Sequence, residues 1–400
     1  MYLKTVKMFE VFGKSPEDVD FELCCRANSA FVFQFCDISF ADKATFACRW
    51  HNKNAVLPLL NTMPFINEIL KHRSLSIVGM EKNTGKTVCL NYVLRRLHDV
   101  GTRVAVTSIG IDGERTDQVY GSAKPEIVLY EGMQFITSEK HYLQRQLLSE
   151  ITCLDTYRTS LGRLVTARVL CAGKALLSGA ATTDKLRRQI AQLTPTTDLT
   201  IVDGALSRLS LASPTVTEAM ILATGAALSP SIQQIVSKTA FVFDLINLGE
   251  TDDATKQMLS DIHSGVWFVD TDGQLHDLAL QSAFMVNSLK GDFLQQCSKV
   301  FVAGALNDVF LKYLITQNKT EVTLVVKDFT KIFVTPEVYR QYAKRGGRIE
   351  VLQRSSLIAV CANPTSPQGY NLNSADLCHA LEYRLGIPVY DVMDRNICKL

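Results

Sequence analysis

The residues best suited to chemistry are Gly79, Gly85, Lys86 and Thr87, in the run Leu75-Ser-Ile-Val-Gly-Met-Glu-Lys-Asn-Thr-Gly-Lys-Thr87. An apolar strand enters a loop of small and polar residues, and an amphipathic stretch, Val88 to Leu97, leaves it. In that order the loop and the helix start turn their backbone N–H groups toward an anion. The spacing predicts that Gly79, Glu81, Lys82, Asn83, Thr84, Gly85, Lys86, Thr87 and Val88 cradle nucleotide phosphates. Lys86 would reach the outer phosphates as a point charge, and the Thr87 hydroxyl would ligate Mg2+. The expected cofactors are ATP and Mg2+. Against the alternative of a chance Gly-Lys-Thr in a surface loop stand the flanking strand and helix.

Such chemistry needs carboxylates beside the loop to hold the metal. Thr200-Ile-Val-Asp-Gly-Ala205 is an apolar strand ending in an acid, the Walker B pattern, and it offers Asp203. Lys86 and Asp203 are the expected catalytic pair. A second strand ends in Thr107-Ser-Ile-Gly-Ile-Asp-Gly-Glu114, which offers Asp112 as a metal ligand and Glu114 behind it. Asp-Gly is also a common turn dipeptide, so Asp112 competes with a plain turn. Leu206-Ser-Arg208 could meet the outer phosphate or simply be solvated. Leu177–Asp184 reads as helix capping in preference to anion binding. Val302–Asp308 is a strand-to-helix turn able to take a phosphate. Asn363-Pro-Thr-Ser-Pro-Gln-Gly369 reads as a rigid loop lining a cleft. The seven His form no H-E-x-x-H pattern, which disfavours a catalytic zinc.

The loop departs from G-x-x-x-x-G-K-[ST], because Met80 stands at the first glycine position and the glycine is Gly79. That longer spacing resembles the Walker A loop of dethiobiotin synthetase and the cobyrinic acid a,c-diamide synthases. This branch of P-loop proteins also holds the partitioning ATPases. The partitioning ATPases carry a further lysine five residues before the Walker lysine. Glu81 stands there and Lys82 is one place off, so the resemblance implies no dimer-crossing lysine. In the two synthases an aspartate at the place of Asp112 helps hold Mg2+, and a similar acid-Gly-Ala follows the strand at Asp203. The amidotransferase nucleophile turn of the cobyrinate synthases, Gly-Cys-x-Gly, does not occur. The loop together with Ile201-Val-Asp-Gly-Ala-Leu-Ser-Arg208 also resembles proteins encoded beside cobalamin-dependent lysine 5,6-aminomutase, proposed as reactivase subunits. That resemblance implies an ATP-driven exchange of damaged cofactor and a second reactivase subunit as partner.

Several elements must position these residues. Strand and helix patterns alternate from Ser74 to Asn247, which predicts a parallel sheet covered on both faces. The expected strands are Leu75–Val78, Arg103–Thr107, Leu164–Cys171, Leu199–Val202, Met220–Thr224 and Thr239–Leu245. The expected helices are Thr87–Val100, Thr183–Leu193 and Ser229–Val236. From Leu248 the pattern begins again, with short β runs at Gly265–Asp270, Lys299–Gly304, Val322–Val326 and Leu357–Cys361. Helices at Ala305–Gln317, Pro336–Arg345 and Ser374–Leu385 and a last strand at Ile387–Tyr390 complete it. Before Ser74, alternation in Ala30–Cys36 and Ala44–Trp50 predicts a small β-rich module, joined by a helix over Leu57–Leu70. The chain is therefore expected to be α/β, in three parts. These are an N-terminal module (1–73), a P-loop NTPase domain (74–247) and a second α/β domain (248–400).

Composition narrows the partners. The chain has 400 residues, 47% apolar and 20% charged, with net charge +2, which favours neither nucleic acid nor a membrane surface. No apolar run is long enough to cross a bilayer, and the N-terminus lacks a signal-peptide core. The eleven cysteines are odd in number, and Cys89, Cys171 and Cys361 sit in apolar runs. They read as reduced core residues of a cytoplasmic protein. Cys24, Cys25, Cys36 and Cys48 lack C-x-x-C spacing, so zinc there is disfavoured.

Three functions fit. The first is an ATP-binding and ATP-hydrolysing accessory protein that remodels or reactivates a partner enzyme, lysine 5,6-aminomutase by the resemblance. The second is an ATP-dependent small-molecule ligase or kinase similar to dethiobiotin synthetase. The third is a nucleotide-binding regulator with negligible turnover. The absence of an Asn/Thr-Lys-x-Asp guanine signature favours ATP over GTP.

Overall fold

The structure, a computed structural model, describes residues 65–109, 126–205, 213–289, 293–319 and 321–391. The expected N-terminal β module, Asp112, Glu114 and Leu206–Arg208 lie outside these residues. Of the expected linking helix, the described part is α1 (Ile66–Ile69). There follow β1 (Ser74–Gly79), α2 (Lys86–Asp99), β2 (Val104–Ser108), β3 (Ile127–Leu129), β4 (Gln134–Ser138) and α3 (Glu139–Leu143). Next come β5 (Gln146–Thr159), β6 (Gly162–Ala175), α4 (Thr183–Leu193), β7 (Leu199–Ala205), β8 (Ala219–Gly225) and α5 (Ile232–Ile246). The remainder comprises α6 (Asp253–Leu259), β9 (Val266–Asp270), β10 (Leu275–Leu280), β11 (Cys297–Val302), β12 (Leu306–Asn307) and α7 (Asp308–Thr316). After these stand β13 (Thr323–Val326), β14 (Ile332–Phe333), α8 (Pro336–Lys344), β15 (Arg348–Val351), β16 (Ser356–Asn363), α9 (Ser374–Leu385) and β17 (Val389–Tyr390).

The fold is α/β, built on a large, mainly parallel sheet. Its ten strands run β17-β16-β8-β1-β7-β2-β4-β6-β3, with β5 paired to β6. From β17 to β4 every pairing is parallel. Strands β1 and β8 are buried at every residue, as parallel strands covered on both faces must be. At β6 the sheet turns antiparallel, because β5 and β6 form a long hairpin. The run Leu164–Cys171 is thus the middle of an antiparallel strand. Cys171 is exposed there, whereas Cys89 and Cys361 are buried as expected. Cys171 lies in a stretch of β6, Leu170 to Ala172, that is exposed at every residue.

A second sheet, β10-β9-β11-β13-β15, is parallel from β11 to β15 and antiparallel at β9 and β10. The chain then returns to the first sheet. β16 pairs with β8 and β17 with β16. So Leu357–Cys361, expected in the second domain over 248–400, forms an interior strand of the first sheet. An apolar strand buried on both faces carries no local mark of which sheet it joins. The two sheets share one core. Val78, Met220 and Leu222 of the first pack in a cluster with Val300, Leu324 and Val326 of the second.

The expected strand Thr239–Leu245 is instead the second half of α5. Its run of Thr, Phe and Val favours a strand by residue type. Yet Ile235, Thr239, Ala240, Leu245 and Ile246 are buried, with Phe241, Val242 and Phe243 packed against the same core. From Thr239 to Ile246 no residue of α5 is exposed, so this half lacks the polar stripe that marks a helix in sequence. No helix among the described residues is long and apolar enough to cross a membrane.

Candidate functional site

Strand order reverses about β1: β7, β2 and β4 lie on one side, β8 and β16 on the other. Ligands of open α/β sheets bind outside the carboxyl ends of the strands at such a point. There the chain leaves β1 at Gly79, makes the glycine loop and enters α2 at Lys86.

Close packing fixes the loop's shape. Asn83 and Gly85 have positive φ, 65° and 89°. Between them Thr84 is buried and its hydroxyl donates to Glu81 O at 2.9 Å. Met80 N–H donates to Ala223 O at 2.9 Å, tying the loop to β8. A Cβ on Gly79 would sit 2.8 Å from Thr84 Oγ1, and one on Gly85 would sit 2.7 Å from Asn363 Cβ. Glycine is needed at 85 twice over, for its φ and for this contact. Helix α2 has no side-chain cap and no acid in its first turn. Its first backbone bond is Cys89 N–H to Gly85 O, so the N–H groups of Lys86, Thr87 and Val88 have no intrahelical acceptor. Thr87 and Val88 are half-buried here, while Glu81 and Lys82 are exposed. Glu81 lies 3.9 Å from Lys238 in an exposed pair of little energetic weight.

Asp203 stands on β7 opposite Ile77 of β1 and Ser108 of β2. It is 6% exposed. Lys86 Nζ reaches across to Asp203 Oδ1 at 3.0 Å. The ammonium lies off the hydrogen-bonding direction, so Oδ1 is charge-compensated while making no hydrogen bond. Among the described residues, a buried carboxylate oxygen without a donor, an uncapped helix start and a lysine paired with that carboxylate form a donor-and-acceptor set suited to a metal-bound phosphate. The residues present are of the kind that would suit Mg2+ and a nucleotide phosphate, where Thr87 and Asp203 would hold the metal and Lys86 would meet the phosphate. Asp112, the other expected ligand, falls outside the described residues.

Two contributors were not singled out as site residues by the sequence. Ser108 donates its hydroxyl to Asp203 O at 3.2 Å, stitching β2 to β7 at the site. Asn363 ends β16, and its Nδ2 donates to Asn83 O at 3.4 Å while its Oδ1 accepts Thr365 N–H at 3.1 Å. Its backbone presses on Gly225, where an added Cβ would meet Asn363 O at 2.1 Å. The signal was the Asn-Pro pair after an apolar strand. It marked a rigid loop without showing that β16 backs the glycine loop.

Leu177–Asp184, expected to cap a helix, does something else. Thr182 is the N-cap of α4 but its side chain makes no capping bond. Ser178 Oγ lies 2.6 Å from His141 Nδ1, and Ser138 Oγ accepts His141 N–H at 3.3 Å. Gly179 is pressed on Ser108, where a Cβ would meet the carbonyl oxygen at 1.6 Å. All three polar side chains are buried, His141 at 4% exposure. Burial pushes the imidazole pKa below its usual 6.5, and Lys140 adds to the shift. The unfolded chain then binds a proton that the folded chain resists, so stability is full above about pH 6.5 and falls as the pH drops. Denaturant midpoints at pH 7.5 and 5.5 should show this fall, and His141→Gln should flatten it. Equal pH dependence in the variant would assign the loss to other groups.

Among the described residues no group of three or more His, Cys, Asp or Glu could by itself hold a metal ion. No known family matches the chain by sequence. No curated protein matches it either. Among solved structures, one of pNOB8 ParA bound to nonspecific DNA is similar at 8% identity and a TM-score of 0.23. The match covers 51% of this chain and 64% of that one, so the chain spans just under two thirds of the neighbour's length. A likeness this slight carries no argument about function.

Proposed function

We propose that this chain is a P-loop ATPase of the dethiobiotin synthetase and cobyrinate synthase-like branch. Its nucleotide cycle would work on a partner protein. The observation that carries the reading is the Lys86–Asp203 pair at 3.0 Å, set between an uncapped helix start and a glycine loop closed by tight contacts. Bound Mg2+ would neutralise phosphate oxygens and hold them for attack by water. The chain's own part is to orient the phosphates with backbone N–H groups and Lys86, and to fix the metal's place with Thr87 and Asp203.

A protein partner is favoured over a small substrate by the surface of the β5–β6 hairpin. Leu148, Ile151 and Leu170 are 59%, 52% and 44% exposed, and Leu143 at the end of α3 is 82% exposed. Large apolar side chains left exposed along a hairpin mark contact surfaces more often than a metabolite site does. From the sequence resemblance, the partner to test is cobalamin-dependent lysine 5,6-aminomutase, with a second reactivase subunit. Basal hydrolysis would be slow and rise with the partner, and ATP would change partner affinity by a related factor. The test is ATP turnover with and without aminomutase inactivated by its own catalysis. Stimulated turnover, and mutase recovery that needs ATP, Mg2+, fresh adenosylcobalamin and an intact Lys86, are expected. A cell whose mutase stays active with this gene deleted would remove the reactivase reading. A metabolite turned over by the chain alone would replace it with the ligase or kinase.

A further inference from the structure

The second sheet gathers cationic groups at its own carboxyl edge, away from the glycine loop. Val302 of β11 lies opposite Val326 of β13, so Ala303 and Lys327 leave the sheet side by side. β9 runs the other way, and its start reaches the same edge, where Ala303 N–H donates to Gly265 O at 3.2 Å. His263, just before β9, comes with it. Lys327 Nζ lies 3.3 Å from His263 Nδ1. Lys327 is half-buried, and burial lowers its pKa; the nearby charge of Lys331 lowers it further, while Asp328 opposes the shift.

Asp328 is the one carboxylate between the two lysines in sequence, and its oxygens are already engaged. Oδ2 accepts the Ser213 hydroxyl at 2.7 Å. Oδ1 accepts Thr330 N–H at 2.9 Å and also the Thr330 hydroxyl. One negative charge faces two ammonium groups, which leaves one positive charge over. Among the described residues neither lysine forms an ion pair. A half-buried ammonium is seldom set against an imidazole without a counter-charge.

A separate observation comes from Asn307. β12 pairs with β14, Leu306 opposite Ile332 and Asn307 opposite Phe333, two residues beyond Lys331. Asn307 is 5% exposed. Its Oδ1 accepts Phe310 N–H at 3.1 Å and caps α7. Its Nδ2 is buried and makes no hydrogen bond. An amide donor left unmet in a buried position is uncommon, and it marks a place where an acceptor is missing. The start of α7 itself is not the binding feature. Asp308 there accepts Thr335 N–H at 2.8 Å and the Thr335 hydroxyl at 2.9 Å, so its carboxylate already occupies that helix start.

We propose that Lys327, Lys331, His263 and Asn307 form a binding site for the phosphate group of a small phosphorylated molecule, distinct from the glycine loop. The groups offered are two ammonium ions, an imidazole N–H and an amide N–H. All can donate to one ligand, and the charges suit a dianion with several acceptor oxygens. A phosphate meets that need better than a carboxylate, which has one charge and two oxygens. The place agrees with the carboxyl-edge rule for α/β sheets.

The probe is inorganic pyrophosphate, titrated by calorimetry into the full chain. The wild type should bind at two sites, one of them at the glycine loop. Lys327→Gln should lose one site while ATP binding at the loop keeps its affinity. In the Lys86→Ala chain one site should remain, weakened at least tenfold by adding Lys327→Gln. A folded Lys86→Ala chain that binds no pyrophosphate at millimolar concentration would overturn the proposal. So would wild type and Lys327→Gln with the same number of sites, a comparison that does not depend on Lys86→Ala folding.

Discussion

Lys86→Ala is expected to remove measurable Mg-ATP binding. The ammonium is the strongest single donor the site offers to the outer phosphates, and a hydrogen bond to a charged group contributes about 1.5–3 kcal/mol. A loss of about 2.8 kcal/mol is about a hundredfold in affinity. The substitution has a second effect that the loop's sequence does not announce. Lys86 Nζ is the counter-charge of Asp203 Oδ1, and the two side chains are 19% and 8% exposed. Taking one partner from a buried pair costs about 3–5 kcal/mol, because the other charge is stranded. Lys86→Ala should therefore bind no nucleotide and also unfold at lower denaturant. Lys86→Ala with Asp203→Asn separates the two. The double variant should regain much of the stability and none of the binding. Calorimetry with ATP and a denaturant titration on all three chains decide it. Unchanged ATP affinity in the single variant would end the phosphate-loop assignment.

The parts of this site that are contiguous in the chain were legible, and the parts brought together by the fold were not. Gly79 to Thr87 announces itself because a phosphate loop needs glycine, lysine and hydroxyl at fixed spacing between a strand and a helix. Asp203 was legible for a similar reason, as an acid ending an apolar strand. Asn363 lies far along the chain from the loop it packs against, on a strand the sequence assigned to the second domain. Only the pairing of β16 with β8 brings it to Gly85. Strand type can be read from apolar residues, but a strand buried on both faces has no outward face to set its register or its sheet. The α5 error has the same root. Periodicity reports a boundary between core and water, and the second half of α5 has no exposed residue to report one. The long hairpin failed differently. Strand β6 was seen but β5 was not, because its exposed edge carries Leu148, Ile151 and Leu154 beside Glu150 and breaks its own alternation with register shifts. The His141–Ser178 contact had no sequence signal, since each residue alone reads as a cap or a turn.

Asp203→Asn should separate binding from turnover. Asparagine keeps the shape of the side chain and removes the charge. Freed from its partner, Lys86 can turn fully to the phosphates, so ATP affinity should stay within about tenfold of the wild type. Hydrolysis should fall by about a hundredfold or more, as expected when a preorganised charge at the reacting centre is lost. The carboxylate could also be structural, because it is buried and paired with Lys86. Magnesium tells the two roles apart. If Asp203 helps place the metal, Mg2+ should tighten ATP binding to the wild type and lose most of that effect in Asp203→Asn. If Asp203 only anchors Lys86, the variant should lose stability while Mg2+ strengthens ATP binding as much as before. The orphaned Oδ1 favours the first outcome. Oδ1 receives no directed hydrogen bond although Lys86 Nζ lies 3.0 Å away, so it can take a cation once Lys86 turns to the phosphates. Calorimetry with and without Mg2+ on the two chains, beside single-turnover hydrolysis, gives the answer. Wild-type turnover in Asp203→Asn would move the metal to another acid.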